Sequence, residues 1–215
     1  SFMCYGMGGQ LILCFPEKGL LCVTTADTQG IAGGTELILT ALYEELLVAL
    51  ADTALPRNTE AEKALQKATQ TLHIRGLFEL CGTAAAQRRE KCLLPWNGTY
   101  QMTDNAQGFG KMRLEWDGEG DGRFAFWLKG HDYSVAFGGA EPVVGSFPVN
   151  GMRCASSAVL LDENTVYLRI FLLDEACGSI RIQLCFGKND LTVFMKKDDE
   201  MLFREFTGHL YGLKL

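Results

Sequence analysis

From Trp96 to the end of the chain, the sequence consists of short alternating runs separated by clusters of turn residues, and this pattern constrains the fold most strongly. A period of two residues is that of a β-strand with one buried face. Segments 117–122 and 187–190 are rich in Gly, Asp and Asn and mark turns. The alternation is clearest where apolar residues share one face and other residues the opposite one: Ile180, Ile182, Leu184 and Phe186 against Arg181, Gln183 and Cys185.

Several runs in this region are predicted to be strands. They are residues 98–103, 111–117, 123–129, 132–137, 154–161, 165–173, 179–186, 191–196 and 201–206. About eight strands at this spacing predict a mainly antiparallel β-barrel or sandwich, a lipocalin-like domain over residues 96–215. A domain of this length can bury enough apolar surface to fold alone.

Residues 1–52 predict a different unit, an α+β arrangement of a β-hairpin followed by a helix. Residues 10–15 and 20–25 are rich in β-forming residues, and Pro16 and Gly19 between them are typical of a turn. Thr35 is the predicted N-cap of a helix that ends near Asp52. The helix carries apolar residues at helical spacing, namely Leu37, Leu39, Leu42, Tyr43, Leu46, Leu47 and Leu50.

Both strands of this hairpin are apolar at nearly every position, which is typical of strands that are covered on both faces. A hairpin with one helix leaves much of that surface without a partner, and an isolated hairpin is marginally stable in water. We therefore expect the cover to come from a segment that precedes Ser1 or from another chain. The second possibility predicts self-association through residues 1–52.

Residues 53–95 are predicted to be a helical linker. Thr59 and Glu62 have the spacing of a capping box ahead of apolar residues at helical spacing, which predicts a short helix. Gly76 and Gly82 interrupt any long helix, whereas residues 84–89 favour one. The structure of residues 77–93 therefore stays open.

Composition disfavours several classes of function. The formal net charge is -6, and no apolar run approaches the roughly 18 residues of a membrane span, so we expect no nucleic-acid partner and no transmembrane segment. The eight cysteines include no Cys-x-x-Cys pair, which favours reduced thiols in a cytoplasmic protein and no metal site. Residues 117–122 resemble the start of a calcium loop, but Leu128 stands where that loop needs a Glu, so a hairpin turn is favoured. We expect no cofactor.

Residues 5–10, Tyr-Gly-Met-Gly-Gly-Gln, together with segment 16–18 and the flanking apolar strands, resemble the C-terminal end of the serine β-lactamase and penicillin-binding-protein fold. The nearest resemblance is to its class C β-lactamase and esterase-like branch. It implies that Tyr5, Gly6, Gly8 and Gly9 edge a pocket whose reactive groups lie on a missing N-terminal catalytic portion. Residues 96–215 are similar to the β-rich C-terminal extension of some of these hydrolases.

The resemblance implies that a parent serine hydrolase would cleave an ester, amide or β-lactam. Such chemistry requires a Ser-x-x-Lys nucleophile and a Tyr-x-Asn element, and the sequence contains neither. No catalytic residue is therefore assigned, and we expect the chain alone to be an inactive accessory or structural region. The alternative hypothesis is a non-enzymatic β-barrel module that binds a small apolar ligand or a protein partner, because a barrel of about eight strands has room for one small ligand.

Overall fold

The computed structural model describes residues 1–51, 53–54, 56–82, 97–174, 178–198 and 201–215. The chain divides into two compact units, Ser1–Ile74 and Arg75–Leu215. The residues predicted to end the first region and to begin the barrel, Asp52 and Trp96, lie outside the described residues, as does most of the open segment 77–93. The predicted domain boundaries stay a prediction.

The first unit begins with a three-stranded antiparallel sheet in the order β1 (Phe2–Gly6), β2 (Gln10–Phe15) and β3 (Leu20–Thr24). The predicted hairpin is confirmed, since β2 and β3 pair through a 3-10 turn at Pro16–Lys18. Gly19 ends this turn with a φ of 58°, in the left-handed region that glycine adopts without a Cβ penalty. β1 is an additional strand that the sequence pattern did not indicate.

The helical segment after the sheet consists of α1 (Gly34–Thr40), a π-helical turn (Ala41–Leu46) and α2 (Leu47–Ala49). Its N-cap is Gly33, so the predicted N-cap Thr35 lies inside the first turn. The π-helical turn changes which residues of the predicted apolar stripe face the sheet. Leu42 is buried with Leu11, Leu13 and Phe15 of β2, whereas Leu37 is 64% exposed.

The helical segment covers one face of the sheet. On the other face Ile12 pairs with Val23, and Leu21 of β3 pairs with Cys14 of β2. Ile12, Leu21 and Val23 are all exposed. The strands of this unit are therefore covered on one face by the part of the chain that the structure describes.

Helix α3 (Thr59–Gln70) follows and confirms the short helix predicted from the capping pattern. The N-cap is Asn58 rather than Thr59, because the Asn58 side chain accepts hydrogen bonds from the backbone N–H groups of Glu60 and Ala61, at 3.1 and 3.0 Å. Among the helices of the described residues, none is long and apolar enough to cross a membrane.

The second unit begins with the short helix α4 (Leu77–Cys81), and the rest of its regular structure is β. Its strands are β4 (Gly98–Met102), β5 (Phe109–Glu115), β6 (Asp121–Leu128), β7 (His131–Gly138), β8 (Val143–Ser146), β9 (Arg153–Asp162), β10 (Thr165–Leu172), β11 (Gly178–Phe186), β12 (Asp190–Lys197) and β13 (Gly208–Lys214). The sheet order is β10-β11-β12-β13-β4-β5-β6-β7-β9-β8, and β9 also pairs with β10.

The additional pairing of β9 with β10 closes the sheet into a barrel, with β8 attached to β9 outside the ring. The predicted β-barrel is confirmed, and the sandwich alternative is wrong. Three strands differ from the prediction, and one of them is β8, which the sequence pattern did not indicate. Residues 201–206 are a loop, and β13 begins after them at Gly208.

Strand β9 is buried on both faces, unlike its neighbours. Alternate residues such as Ala158 face the barrel interior, while Val159 on the outer face packs against Leu77 of α4. The backbone N–H of Leu77 also donates a hydrogen bond of 3.2 Å to the Ser157 hydroxyl. Helix α4 thus covers the outer face of this strand.

Candidate functional site

The interior of the barrel is lined by apolar side chains. Strand alternation places one side chain in two toward the interior, so each strand contributes several buried apolar residues. In β11, for example, Ile180, Ile182 and Leu184 are fully buried. Such an interior offers contacts to apolar groups.

One end of the barrel is filled by aromatic rings that we call the phenylalanine cluster: Phe109, Phe126, Phe147, Phe203 and Phe206. Phe206 is at its centre, with ring centroids 5.5 Å from Phe109, 5.7 Å from Phe126 and 5.6 Å from Phe147. The Phe147 and Phe203 rings are 5.3 Å apart and nearly perpendicular. These distances are typical of stabilising edge-to-face aromatic pairs.

The cluster combines rings from strands with rings from loops. Phe109 and Phe126 lie on β5 and β6, whereas Phe147 follows β8 and Phe203 and Phe206 lie in the loop before β13. Phe203 has a φ of 58°, a left-handed conformation that is costly for a residue with a bulky side chain. Burial of the Phe203 ring and a hydrogen bond of 2.9 Å from the Phe206 N–H to the Phe203 carbonyl compensate for this strain.

An open surface cavity of about 680 Å³ lies at the loop between β8 and β9, which contains Phe147. It is lined by Asn150, Gly151, Met152 and Asp174. Met152 lies between this cavity and the interior, because its side chain also packs against the barrel core. The loop is held by hydrogen bonds from the Phe147 N–H to the Met152 carbonyl and from the Gly151 N–H to the Phe147 carbonyl, and the Asp174 carboxylate accepts a hydrogen bond of 2.6 Å from the Arg153 N–H.

A phenol hydroxyl group lies within the apolar lining toward the opposite end of the barrel. The Tyr100 ring packs against Phe186 at 5.7 Å, and its hydroxyl is buried without a hydrogen-bond partner. Burial, and to a smaller degree the negative charge of Asp190, raise the pKa of Tyr100 above its ordinary value. The hydroxyl therefore stays protonated and can donate a hydrogen bond.

The residues predicted to edge a pocket lie in the first unit. Tyr5 is on β1, and its hydroxyl is 3.4 Å from that of Thr35. Gly6 ends β1, and Gly8 and Gly9 form the turn to β2 with φ angles of 77° and 88°. Gly9 is in a crowded position, because an added Cβ would lie 2.7 Å from the Ile38 side chain. The pocket-edge role of these residues stays a prediction.

The phenylalanine cluster was missed by the sequence analysis, although the sequence contains a signal for it. Phe203 and Phe206 are large aromatic residues three positions apart, which is incompatible with a shared face of a strand.

Residues 117–120 form the predicted turn, in which the Asp117 carboxylate accepts hydrogen bonds from the N–H groups of Glu119 and Gly120. No group of metal-binding side chains occurs among the residues that the structure describes.

Comparisons with known proteins return only solved structures, since no family model and no curated protein matches the chain. Secretory abundant heat soluble protein 4 from Ramazzottius varieornatus is 12% identical, with a TM-score of 0.43 over 58% of this chain and 97% of that one. Lipid binding protein 8 from Caenorhabditis elegans is 10% identical, with a TM-score of 0.44 over 57% and 97%. A Schistosoma mansoni fatty acid binding protein in complex with arachidonic acid is 10% identical, with a TM-score of 0.42 over 56% and 95%.

These findings correct the resemblance to serine β-lactamase-like and penicillin-binding-protein-like hydrolases, which is wrong. None of the structures named above is named as a hydrolase, and neither a family model nor a curated protein supports one. The motif that suggested the resemblance has a local explanation: glycines with positive φ connect β1 to β2, and a Pro-initiated turn connects β2 to β3. Any compact antiparallel meander uses such residues. The missing catalytic portion loses its support with the resemblance.

Proposed function

We propose that the barrel is a non-enzymatic module that binds a small apolar ligand at the end closed by the phenylalanine cluster. The observation that carries the proposal is the cavity of about 680 Å³ that adjoins an apolar interior through Met152. Small-molecule sites have volumes of roughly 300–1,000 Å³ and combine apolar walls with a few polar groups. Asn150 and Asp174 are the polar groups at this cavity.

The ligand would extend from the cavity toward the interior by taking the place of loop-borne rings. Phe203 is the ring best suited to move, because leaving its left-handed conformation would relieve backbone strain of about 1–3 kcal/mol. Phe109 and Phe126 would remain as a wall, since paired strands hold them. Ligand binding would thus break the contacts of the Phe203 ring with the core and replace them by contacts of the ligand with Phe109 and Phe126.

The charge at the cavity favours a neutral ligand. Asp174 carries a carboxylate at the opening, and a ligand carboxylate placed beside it would be repelled. We therefore expect neutral apolar molecules to bind more tightly than fatty-acid anions of the same length.

Titration with the neutral fluorescent probe N-phenyl-1-naphthylamine tests the proposal. We expect saturable binding to the full chain and at least tenfold weaker binding to Met152→Lys, which places a charge at the junction of cavity and interior. Val144→Lys is the matched control, because Val144 is 60% exposed on β8 and should leave binding unchanged. Binding that does not saturate, or an equal effect of both substitutions, would contradict the proposal.

We also propose that residues 1–52 mediate self-association. The exposed apolar face formed by Ile12, Leu21 and Val23 supports this, because contiguous apolar surface marks sites of association. Leu21→Lys should shift the sedimentation velocity profile toward monomer. Leu65→Lys is the control, since Leu65 is comparably exposed on α3. A monomeric wild-type chain at high concentration would contradict self-association.

A further inference from the structure

The outer face of the barrel carries a second cavity, of about 230 Å³, over strands β4 to β7. Met112 and Phe126, which are buried in the barrel core, also line it, but its accessible side chains point away from the barrel interior. The outward-facing residues that line it are Thr99, Lys111, Arg113, Ala125, Trp127 and Asp132. The cavity combines an aromatic surface with hydrogen-bonding groups of both kinds.

Trp127 provides the aromatic surface. Its side chain is 38% exposed, although a large aromatic residue is usually buried. The indole lies over Gly110, where an added Cβ would be 3.6 Å from the ring, so the neighbouring strand supports it. The Lys111 ammonium lies 5.8 Å from the ring centroid, in cation–π geometry. The indole is therefore held in place before any ligand arrives.

Polar groups surround this ring at positions set by strand register. Asp132 of β7 is directly opposite Trp127, and Lys111 of β5 is opposite it on the other side. One row further along, Arg113 is opposite the small Ala125, which leaves the space that forms the cavity floor. Arg113 is oriented by a contact of 2.7 Å with Glu115, and Thr99 pairs with Arg113 from β4.

We propose that this cavity is a saccharide-binding site, in which the apolar C–H face of one pyranose ring stacks on Trp127. Asp132 would accept hydrogen bonds from sugar hydroxyls, while Arg113, Lys111 and Thr99 would donate to sugar oxygens. The ligand class is a neutral oligosaccharide with equatorial ring hydroxyls, which leave a flat apolar ring face, and with β-linkages, which keep successive rings in an extended chain that can lie along the open outer surface. The volume corresponds to one sugar ring, and the open outer surface allows the chain to continue beyond it.

The charges at the cavity disfavour the other ligands that stack on indoles. A quaternary ammonium group would be repelled by Lys111 and Arg113. A phosphate would be repelled by the Asp132 carboxylate within a protein of net charge -6. A purely apolar ligand would leave the surrounding polar groups without the hydrogen bonds that water now provides.

Isothermal titration of the full chain with cellohexaose tests this inference, and a dissociation constant of about 1 mM or below is expected for one stacked ring with a few hydrogen bonds. Trp127→Ala should weaken binding at least tenfold. Phe194→Ala is the matched control, because Phe194 is 49% exposed on the outer face of β12, away from the cavity. Its affinity should equal that of the wild type.

Further variants separate stacking from hydrogen bonding. Asp132→Asn should weaken cellohexaose binding several-fold, and Trp127→Tyr should retain part of it. Circular dichroism checks that each variant keeps the wild-type fold. The inference is overturned if the wild type releases no heat with cellohexaose, if Trp127→Ala binds as the wild type does, or if the α-linked maltohexaose binds more tightly than cellohexaose.

Discussion

Gly138 of β7 pairs with Ser157 of β9, and this parallel contact completes the ring of strands. Within the described residues the ring contains an odd number of strands, since β8 lies outside it. Strand directions cannot alternate around a closed ring with an odd number of members, so one neighbouring pair must be parallel. The contact between β7 and β9 is that pair, and the remaining pairs of the ring are antiparallel.

The first prediction concerns Gly138 itself. Gly138→Ala should destabilise the protein by about 2 kcal/mol or more, because an added Cβ would clash with the backbone of the turn between β7 and β8 and force it to move. An added Cβ would lie 1.7 Å from the Glu141 carbonyl oxygen. Urea denaturation measures the change. Gly145→Ala on β8 is the control, since nothing lies within 4 Å of its added Cβ, and a comparable loss there would argue against the steric explanation.

The second prediction concerns a buried ion pair. The Arg181 guanidinium donates a hydrogen bond to the Asp198 carboxylate, which also accepts one of 3.3 Å from the Ser179 hydroxyl. This pairing raises the pKa of Arg181 further above its ordinary value. Asp198→Asn should lower the free energy of unfolding by about 2 kcal/mol. This loss is smaller than for a fully buried ion pair because the Arg181 side chain is partly exposed.

The exposed pair Arg113–Glu115 provides the control for that substitution. Both of its side chains are about half exposed, so Glu115→Gln should change the free energy of unfolding by less than about 1 kcal/mol. Equal effects of Asp198→Asn and Glu115→Gln in chemical denaturation would show that burial does not strengthen the inner pair.

The third prediction concerns Tyr100, whose buried hydroxyl lacks a partner. Tyr100→Phe should stabilise the protein by about 1 kcal/mol at neutral pH, because it removes an unsatisfied polar group. A loss of stability in thermal or urea unfolding would instead indicate a water molecule that the hydroxyl binds.

The raised pKa of Tyr100 also predicts that the stability of the folded protein depends on pH in the alkaline range. The pKa of Tyr100 is raised in the folded protein, so the unfolded chain releases this proton first as the pH rises above the ordinary value of 10.0. The contribution of the protonated phenol to stability is present below that pH and is lost as pH rises through the folded pKa. Tyr100→Phe should remove this part of the alkaline destabilisation, and an unchanged pH profile would contradict the assignment.

The fourth prediction compares two thiols. Burial raises the pKa of Cys154, and its hydrogen bonds to Ser156 and the Gly145 backbone offset this effect only in part. Cys4 is exposed on β1. Iodoacetamide at mildly alkaline pH should therefore modify Cys4 rapidly and Cys154 only after unfolding, because the thiolate is the reactive form. Peptide mass spectrometry measures both rates, and equal rates would show that the barrel opens readily near β9.

The predicted strands and the order of strands within each hairpin followed from local patterns. Ile180, Ile182 and Leu184 alternate with polar neighbours, and this period identifies β11 without reference to other strands. The turn at Pro16–Lys18 was similarly predictable, because Pro16 and Gly19 favour specific backbone angles. The glycine pattern of residues 5–10 misled the family assignment for the same reason: local turn chemistry is shared by unrelated folds.

Two features depended on contacts between residues distant in sequence. Residues 201–206 have strand-like composition, yet they form a loop because Phe203 and Phe206 gain more by packing against Phe147, Phe109 and Phe126 than by extending. The sequence by itself determined most of the strands, though not β1, β8 or β13, and it determined that a closed or stacked β-domain follows from residue 98, since a period of two acts locally. Only the tertiary structure decided that the ring closes between β7 and β9 and which end the phenylalanine cluster fills, because burial depends on partners that no local pattern specifies.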